Sequence, residues 1–145
     1  MKSFKEKVAV ITGAGSGMGR YLAVLLAKDG ADVCVCDVNE ETLNETVAML
    51  RKYNVSVSSH LLDVSDKESI EALPQKVIDQ HGKVDLVFNN AGVTTGAHFK
   101  DMDEDNWDWV MGINFDGVVN STRAFIPHLI NNSEAAIVNL SLIHI

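Results

Sequence analysis

The chain has 145 residues, 46% of them hydrophobic, so it is long enough to bury the core of one domain. Its formal net charge of −8 argues against a surface for nucleic acid or anionic membrane, because both favour clustered Lys and Arg. No apolar run approaches the ~20 residues that span a bilayer. Residues 1–7 show no apolar signal region, so the expected location is the cytoplasm.

Strand-like and helix-like patterns alternate along the chain, separated by short turns. The apolar residues 7–12 predict a first strand, and a glycine-rich turn leads from it into a predicted helix over 20–28. Further strands are predicted at residues 32–37, 55–62, 84–89 and 135–140. Helices are predicted between them, beginning at Asn39, at Ser65 and at about Asp103.

The predicted helix after Ser65 carries its own start and stop signals. Ser65 and Glu68 form a capping-box pattern, and Gly82 is placed to end the helix after His81. Pro74 lies inside this stretch and is expected to kink or restart the helix.

The alternation predicts an α/β fold with about five strands and four helices. Strands joined through helices by short turns run parallel with right-handed crossovers, which gives a doubly wound parallel sheet with helices on both faces. Ligands bind such a sheet beyond the carboxyl ends of its strands, at the point where the strand order reverses. Polar residues that follow the strands are therefore the candidate site residues.

The turn after the first predicted strand is a candidate phosphate site. A helix N-terminus leaves backbone N–H groups unpaired and carries partial positive charge, and glycines let an anion touch the backbone. The common G-x-G-x-x-G fingerprint does not fit, because Met18 stands where its last glycine belongs. The spacing fits T-G-x-x-x-G-x-G, formed by Thr12, Gly13, Gly17 and Gly19.

Asp37 ends the second predicted strand, 18 residues after Gly19. An acidic residue at about this distance binds the ribose 2′-hydroxyl in dinucleotide sites. A carboxylate accepts hydrogen bonds from that hydroxyl and repels a 2′-phosphate, and neither Ser16 nor Val38 offers a compensating positive charge. The sequence therefore favours NAD over NADP.

Two further candidate segments follow the third and fourth predicted strands. Asp63 and Val64 could pair with an adenine edge through the carboxylate and the backbone N–H, or Asp63 could be a local turn residue at the helix entry. Asn90, Ala91 and Gly92 permit close backbone approach, and Asn89 and Asn90 supply amides that could pin neighbouring strands.

Cys34 and Cys36 lie two residues apart in the second predicted strand, so both side chains should share one face. The chain has two cysteines in all, and nothing in the sequence completes a metal site around them. We interpret them as small buried apolar residues, and we expect no metal.

These motifs together resemble the short-chain dehydrogenase/reductase family. The resemblance rests on the glycine turn, Asp37, Asp63-Val64, Asn89-Asn90-Ala91-Gly92 and Asn114-Phe115-Asp116-Gly117, and it covers residues 5 to about 139. It implies a Rossmann-like fold, present here as an incomplete N-terminal portion, and hydride transfer between a nicotinamide cofactor and an alcohol or ketone. It also implies a homodimer or homotetramer for the intact protein.

The resemblance implies roles for individual residues. The pyrophosphate and adjoining ribose would be lined by Gly13, Ser16 and Met18. Asp37 would bind the adenosine ribose, and Asp63 and Val64 the adenine. The nicotinamide half would lie along Asn90, Ala91 and Gly92, and Asn114 would hold a water in the proton relay to the family's catalytic lysine.

The sequence departs from the family pattern at the residues of the reaction itself. The family's tyrosine is followed by a lysine four residues later, whereas Tyr21 is followed by Leu25 and Tyr53 by Val57. The family's catalytic serine falls on Leu142, and Ser141 is only its neighbour.

The last residues match the peptide that the end of a common sequencing adaptor encodes in one frame. We therefore expect residues 1–139 to form a partial NAD(P)-binding domain and residues 140–145 to be a non-native tail.

The sequence thus predicts a fragment of an NAD-dependent oxidoreductase that is inactive as written. One alternative is a 3-oxoacyl thioester reductase that uses NADPH. Another is a dinucleotide-binding protein without catalysis.

Overall fold

The computed structural model describes residues 3–96 and 98–140. Strands and helices alternate through this part of the chain. The strands are β1 (Val8–Thr12), β2 (Asp32–Asp37), β3 (Val57–Leu61), β4 (Leu86–Asn89) and β5 (Ala136–Asn139). The α-helices are α1 (Gly17–Lys28), α2 (Glu40–Leu50), α3 (Lys67–His81), α4 (Glu104–Met111) and α5 (Gly117–Leu129). A 3-10 turn covers Phe99–Asp101, and a π-helical segment, Gly112–Asp116, joins α4 to α5.

The strands form one parallel sheet in the order β3-β2-β1-β4-β5. The chain builds outward from β1 to β3 and then returns to the other side of β1, so the strand order reverses between β1 and β4. This arrangement confirms the Rossmann-like, doubly wound fold. It places the candidate site at the carboxyl ends of β1 and β4, as the topology rule requires.

Alternation along the strands divides the core between the two faces of the sheet. Val8 and Val10 of β1 pack with α3 and α5, and Ala9 and Ile11 pack with α1 and α2. All five residues of β1 are buried, as expected of a central parallel strand covered on both faces. The rigid centre of the sheet therefore lies directly beneath the glycine turn.

The helix caps differ in part from the predictions. Asn39 caps α2 by accepting from the backbone N–H of Thr42 at 3.0 Å, and Gly82 ends α3 in the left-handed conformation, as predicted. The cap of α3 is Asp66, which accepts from the backbone N–H of Glu68 at 3.2 Å, so the prediction of Ser65 was wrong. Ser65 is instead bound to Asp63, which precedes the helix.

Pro74 does not interrupt α3, so the helix does not restart at this residue. The helix runs from Lys67 to His81 through Pro74, which is itself buried. Leu73 and Val77 on either side belong to the core beneath α3. Burial of this face stabilises the helix strongly enough to tolerate the backbone hydrogen bond that proline cannot make.

Cys34 and Cys36 are buried side by side in the core beneath α3, with exposed fractions of 0% and 1%. Both are free thiols, as interpreted from the sequence. The hydrogen bond to Cys34 and burial raise the pKa of Cys36 well above its usual value. Among the described residues no cluster of His, Cys, Asp and Glu could hold a metal ion.

We expect both thiols to resist DTNB in the folded chain and both to react within seconds to minutes in guanidinium chloride. The raised pKa of Cys36 keeps its sulfur protonated, and burial keeps the reagent away from both sulfurs. The measurement is the number of thiols that react with and without denaturant. Rapid reaction of either cysteine in the native chain would contradict the packing of α3 on the sheet.

β5 forms one edge of the sheet within the described residues, and its side chains are the least covered of the strands. Val138 is 40% exposed although it lies in a parallel strand. A shallow apolar groove lies beside β5, lined by Ile126, Leu129, Ile130 and Ile137 among others. Across residues 3–96 and 98–140, no helix is both long and apolar enough to cross a membrane.

Candidate functional site

A cleft of about 330 Å³ lies at the carboxyl ends of the strands, where the strand order reverses. Most of the residues singled out from the sequence line it, although they come from four separate turns. They are Gly13, Ser16, Gly17, Met18, Asp37, Asp63, Val64, Asn90, Ala91 and Gly92. Val38, Leu62, Val93 and Ile113 complete the lining.

The glycines of the turn allow close packing that no larger residue could make. Gly13 has a φ of +65°, and a Cβ there would lie 2.8 Å from the Cα of Ala91. A Cβ on Gly19 would overlap the carbonyl oxygen of Gly13 and lie 2.5 Å from Nδ2 of Asn90. Gly19 therefore sits behind the cleft, where it lets α1 approach the turn, and it does not line the cleft itself.

The N-terminus of α1 points its unpaired backbone groups at the cleft. The helix begins at Gly17, three residues before the predicted start, with Ser16 as its N-cap. The Ser16 side chain makes no capping hydrogen bond, and the first turn contains no acidic residue. Neither the capping residue nor a first-turn carboxylate therefore compensates the partial positive charge of the helix end, which suits an anion such as a pyrophosphate.

Thr12 lies beneath the cleft and links the turn after β1 to the turn after β4. It is 2% exposed, and its hydroxyl accepts hydrogen bonds from the backbone N–H groups of Asn90 and Ala91, each at 3.1 Å. In return, Asn90 Nδ2 donates to the carbonyls of Thr12 and Gly13 at 2.9 and 3.1 Å. These bonds fix the turn after β4 against the turn after β1, so Thr12 positions the lining without being part of it.

The carboxylate of Asp37 is held by two backbone N–H groups. Oδ2 accepts from Gly15 at 2.8 Å, and Oδ1 accepts from Asn39 at 3.0 Å. The adjacent Val38 is 63% exposed and brings no positive charge to the cleft. The carboxylate is thus oriented at the cleft wall, where it can accept hydrogen bonds from a vicinal diol and repel a phosphate.

Gly15 was missed by the sequence motif, which leaves this position unspecified. A Cβ there would lie 2.6 Å from Thr42 Oγ1 and 2.8 Å from Oδ2 of Asp37. The glycine at position 15 is visible within residues 12–19. The reason for it depends on contacts with Thr42 and Asp37, which are distant in sequence. The residue is needed for the contact between the turn and Asp37.

Asp63 serves as a local turn residue and also lines the cleft, so the two readings from the sequence are compatible. Its Oδ1 accepts from the backbone N–H and the hydroxyl of Ser65, at 2.8 and 2.7 Å. Val64 is 8% exposed and packs on Gly117, where a Cβ would meet Val64 Cγ2 at 2.9 Å. This part of the cleft wall is therefore tied to the start of α5.

Asn114 lies in the π-helical segment between α4 and α5. Its Oδ1 accepts from the backbone N–H of Val93, and its Nδ2 donates to the Val93 carbonyl, both at 2.8 Å. The side chain is thus paired with the loop that follows β4. The sequence identified Asn114, but neither the π-helical segment nor the pairing with Val93 has a signal in the local pattern. Ser141 and Leu142 lie outside the described residues.

The residues present fit an adenine dinucleotide. The close packing of the turn requires Gly13 and Gly15, since side chains there would clash with Ala91 and with Asp37. The free end of α1 suits a pyrophosphate, and Asp37 suits an unphosphorylated ribose. The profile of the short chain dehydrogenase family matches residues 7–144. The chain belongs to this family.

Individual members of the family resemble the chain over nearly all of its residues. The 3-oxoacyl-[acyl-carrier-protein] reductase FabG of Thermotoga maritima is 36% identical over 135 residues, which are 93% of this chain and 55% of the reductase. A short chain dehydrogenase/reductase from Burkholderia phymatum, solved in complex with NAD, is 40% identical with a TM-score of 0.90. That match covers 94% of this chain and 49% of the solved one.

Carveol dehydrogenase from Mycobacterium avium, also solved with NAD, is 29% identical with a TM-score of 0.86. That match covers 92% of this chain and 53% of the dehydrogenase. The chain thus spans about half the length of the relatives it matches.

Proposed function

We propose that the chain is the NAD-binding portion of an oxidoreductase that acts on an alcohol or ketone. The observation that carries this proposal is the Asp37 carboxylate, held at the cleft wall by the N–H groups of Gly15 and Asn39. The NAD complexes of two solved relatives support it. NADP is the less favoured cofactor, because its 2′-phosphate would meet this carboxylate.

In this proposal each part of the cleft has one task. The N–H groups of the first turn of α1 bind the pyrophosphate, with Gly13, Ser16, Gly17 and Met18 around it. Asp37 accepts hydrogen bonds from the adenosine ribose, and Asp63 and Val64 border the adenine. Asn90, Ala91 and Gly92 provide the floor beneath the nicotinamide half, and Thr12 and Gly19 keep that floor against the turn.

A bound nicotinamide supplies the hydride chemistry, and the protein supplies orientation and proton transfer. Among the described residues, Asn114 contributes by holding Val93 and so the shape of the loop over the nicotinamide half. The Tyr-x-x-x-Lys pair that would donate the proton has no counterpart in the sequence. We therefore propose that the 145-residue chain binds the cofactor and does not turn over substrate.

The similarity to the Thermotoga reductase favours a second candidate, a 3-oxoacyl thioester reductase that uses NADPH. The two candidates differ at the adenosine ribose. Asp37 argues for NADH, since NADPH would need a positive charge at that wall. A third candidate, a dinucleotide-binding protein without catalysis, predicts the same cleft and differs only in what the gene encodes beyond residue 139.

The remaining proposals concern the whole protein. We propose a domain that begins in residues 1–139 and continues beyond them, a non-native tail at residues 140–145, a homodimer or homotetramer, and a cytoplasmic location. Sequencing the source locus tests the tail. Codons for residues 140–145 that continue into a native stop would contradict it, and a Tyr-x-x-x-Lys segment further on would support the enzyme.

We expect the purified chain to bind NADH, and to bind NADPH at least about 10-fold more weakly, since about 1.4 kcal/mol of repulsion between the 2′-phosphate and Asp37 is enough for that ratio. Isothermal titration of both cofactors, followed by a turnover assay with a panel of alcohols, makes the measurement. Tighter binding of NADPH would favour the thioester reductase. Multiple turnovers by the 145-residue chain would contradict the proposal that it lacks the proton donor that catalysis needs.

A further inference from the structure

Arg20 lies in the first turn of α1 and reaches across to α2. Its Nε donates to Thr46 Oγ1 at 3.0 Å, and its Nη2 donates to the carbonyl of Thr42 at 3.0 Å and to Glu45 Oε2 at 2.8 Å. The same Nη2 also donates to the carbonyl of Gly15. The side chain is 22% exposed, so most of it is enclosed between the two helices and the turn.

Thr46 completes the contact from the side of α2. It is 0% exposed, and its hydroxyl lies 2.9 Å from the carbonyl of Ala14 and 3.5 Å from that of Gly15. The peptide between Ala14 and Ser16 is thereby held by side chains from both helices. A planar guanidinium is suited to this task, because it offers several donors in a fixed geometry.

The contact with Arg20 affects Asp37, because Gly15 is bonded to both residues. Its carbonyl is bound by Arg20, and its N–H donates to Asp37 Oδ2 at 2.8 Å. The Asp37 carboxylate is also bound by the N–H of Asn39, the cap of α2. A shift of Gly15 would therefore move one of the two donors that orient the carboxylate.

We propose that Arg20 is a positioning residue for cofactor discrimination. It fixes Gly15, which orients Asp37, so it sets the preference for an unphosphorylated ribose without lining the cleft. This inference rests on the proposed function, since Asp37 discriminates only if a dinucleotide binds there. The expected signature is that Arg20 affects the choice between NADH and NADPH only while Asp37 is present.

The test is a double-mutant cycle on the 145-residue chain. Arg20→Met should reduce the ratio of the NADPH Kd to the NADH Kd by about 10-fold, within the usual range of coupling between contacting groups. In the Asp37→Ala background the same substitution should change this ratio by less than about 2-fold. Arg51→Met, at the exposed end of α2, removes the same charge and should leave the ratio unchanged.

Thr46→Val provides a second variant with nearly the same volume, and it should reduce the ratio in the same direction as Arg20→Met. It keeps the inference testable if Arg20→Met does not fold, as judged by circular dichroism. Arg20→Lys should recover only part of the ratio, because an ammonium cannot reproduce the planar fork.

The outcomes distinguish the inference about Arg20 from the proposed function on which it rests. If the wild-type chain prefers NADH but the ratio is unchanged in Arg20→Met and Thr46→Val, the inference is wrong and the proposed function stands. An equal loss of affinity for both cofactors would indicate a general structural role and also overturn it. Failure of the wild-type chain to bind either cofactor would overturn the proposed function and this inference together.

Discussion

The double substitution Asp37→Ala, Val38→Arg is expected to reverse the cofactor preference, with the ratio of the NADPH Kd to the NADH Kd falling on the order of 100-fold or more. The first change removes the carboxylate that we propose binds the ribose diol and repels a 2′-phosphate. The second places a guanidinium at an exposed position of the cleft wall, where it can bind that phosphate. Parallel titrations with NADH and NADPH measure the ratio.

A matched control carries the same change in charge elsewhere. Asp79 and Gln80 are adjacent and exposed on α3, so Asp79→Ala, Gln80→Arg should leave the ratio near the wild-type value. Asp37→Asn removes the charge and keeps one acceptor oxygen, so it can accept from Gly15 or from Asn39 but not from both. An unchanged ratio in Asp37→Ala, Val38→Arg would show that Asp37 does not select the cofactor.

The sheet and the framework of the site were accessible from the sequence because their signals are local. β2 was predicted with its exact bounds, and β1, β3, β4 and β5 to within a few residues. Buried β1, β2 and β4 give short apolar runs between turns. The capping residues Asn39 and Gly82 also act on neighbouring backbone. The rule that ligands bind beyond the carboxyl ends of parallel strands then predicts that Asp37, Asp63 and Asn90 lie together, and all three line one cleft.

The parts that sequence reasoning missed depend on contacts between distant residues. Arg20 and Thr46 are 26 residues apart, and Val93 and Asn114 are 21 apart, so no period or spacing links them. Gly15 is an unspecified position in the motif, and its contacts with Thr42 of α2 and with Asp37 at the end of β2 become visible only in the fold. The π-helical segment is similarly invisible, because its residues continue the apolar pattern of an ordinary helix.

At Pro74 and Ser65 the sequence does carry a local signal, but contacts elsewhere in the fold outweigh it. Proline disfavours a helix interior, but the buried face of α3 offsets that cost. Ser65 fits a capping box, but its hydroxyl is already bound by Asp63, and Asp66 takes the cap instead. At Pro74 tertiary packing outweighed the local rule, and at Ser65 a neighbouring carboxylate did.

Gly19→Ala is expected to abolish measurable NADH binding and to lower the free energy of unfolding by about 1–3 kcal/mol, the usual cost of overpacking. The added methyl group would overlap the carbonyl oxygen of Gly13 and lie 2.5 Å from Nδ2 of Asn90. Either the turn shifts away from α1 or Asn90 releases its bonds to Thr12 and Gly13. Both responses deform the cleft at Gly13 and Asn90, where we propose that the pyrophosphate and the nicotinamide half bind.

This substitution sets two effects of opposite sign against each other. Alanine is favoured over glycine inside a helix by about 1 kcal/mol, so without the steric contact Gly19→Ala would stabilise α1. Gly96→Ala is the control, because a Cβ there has no neighbour within 4 Å among the described residues, and its urea midpoint and NADH affinity should match the wild-type values. If Gly19→Ala instead raised the midpoint and retained NADH binding, helix propensity would outweigh the contact. The close approach of α1 to the turn would then not be what forms the site.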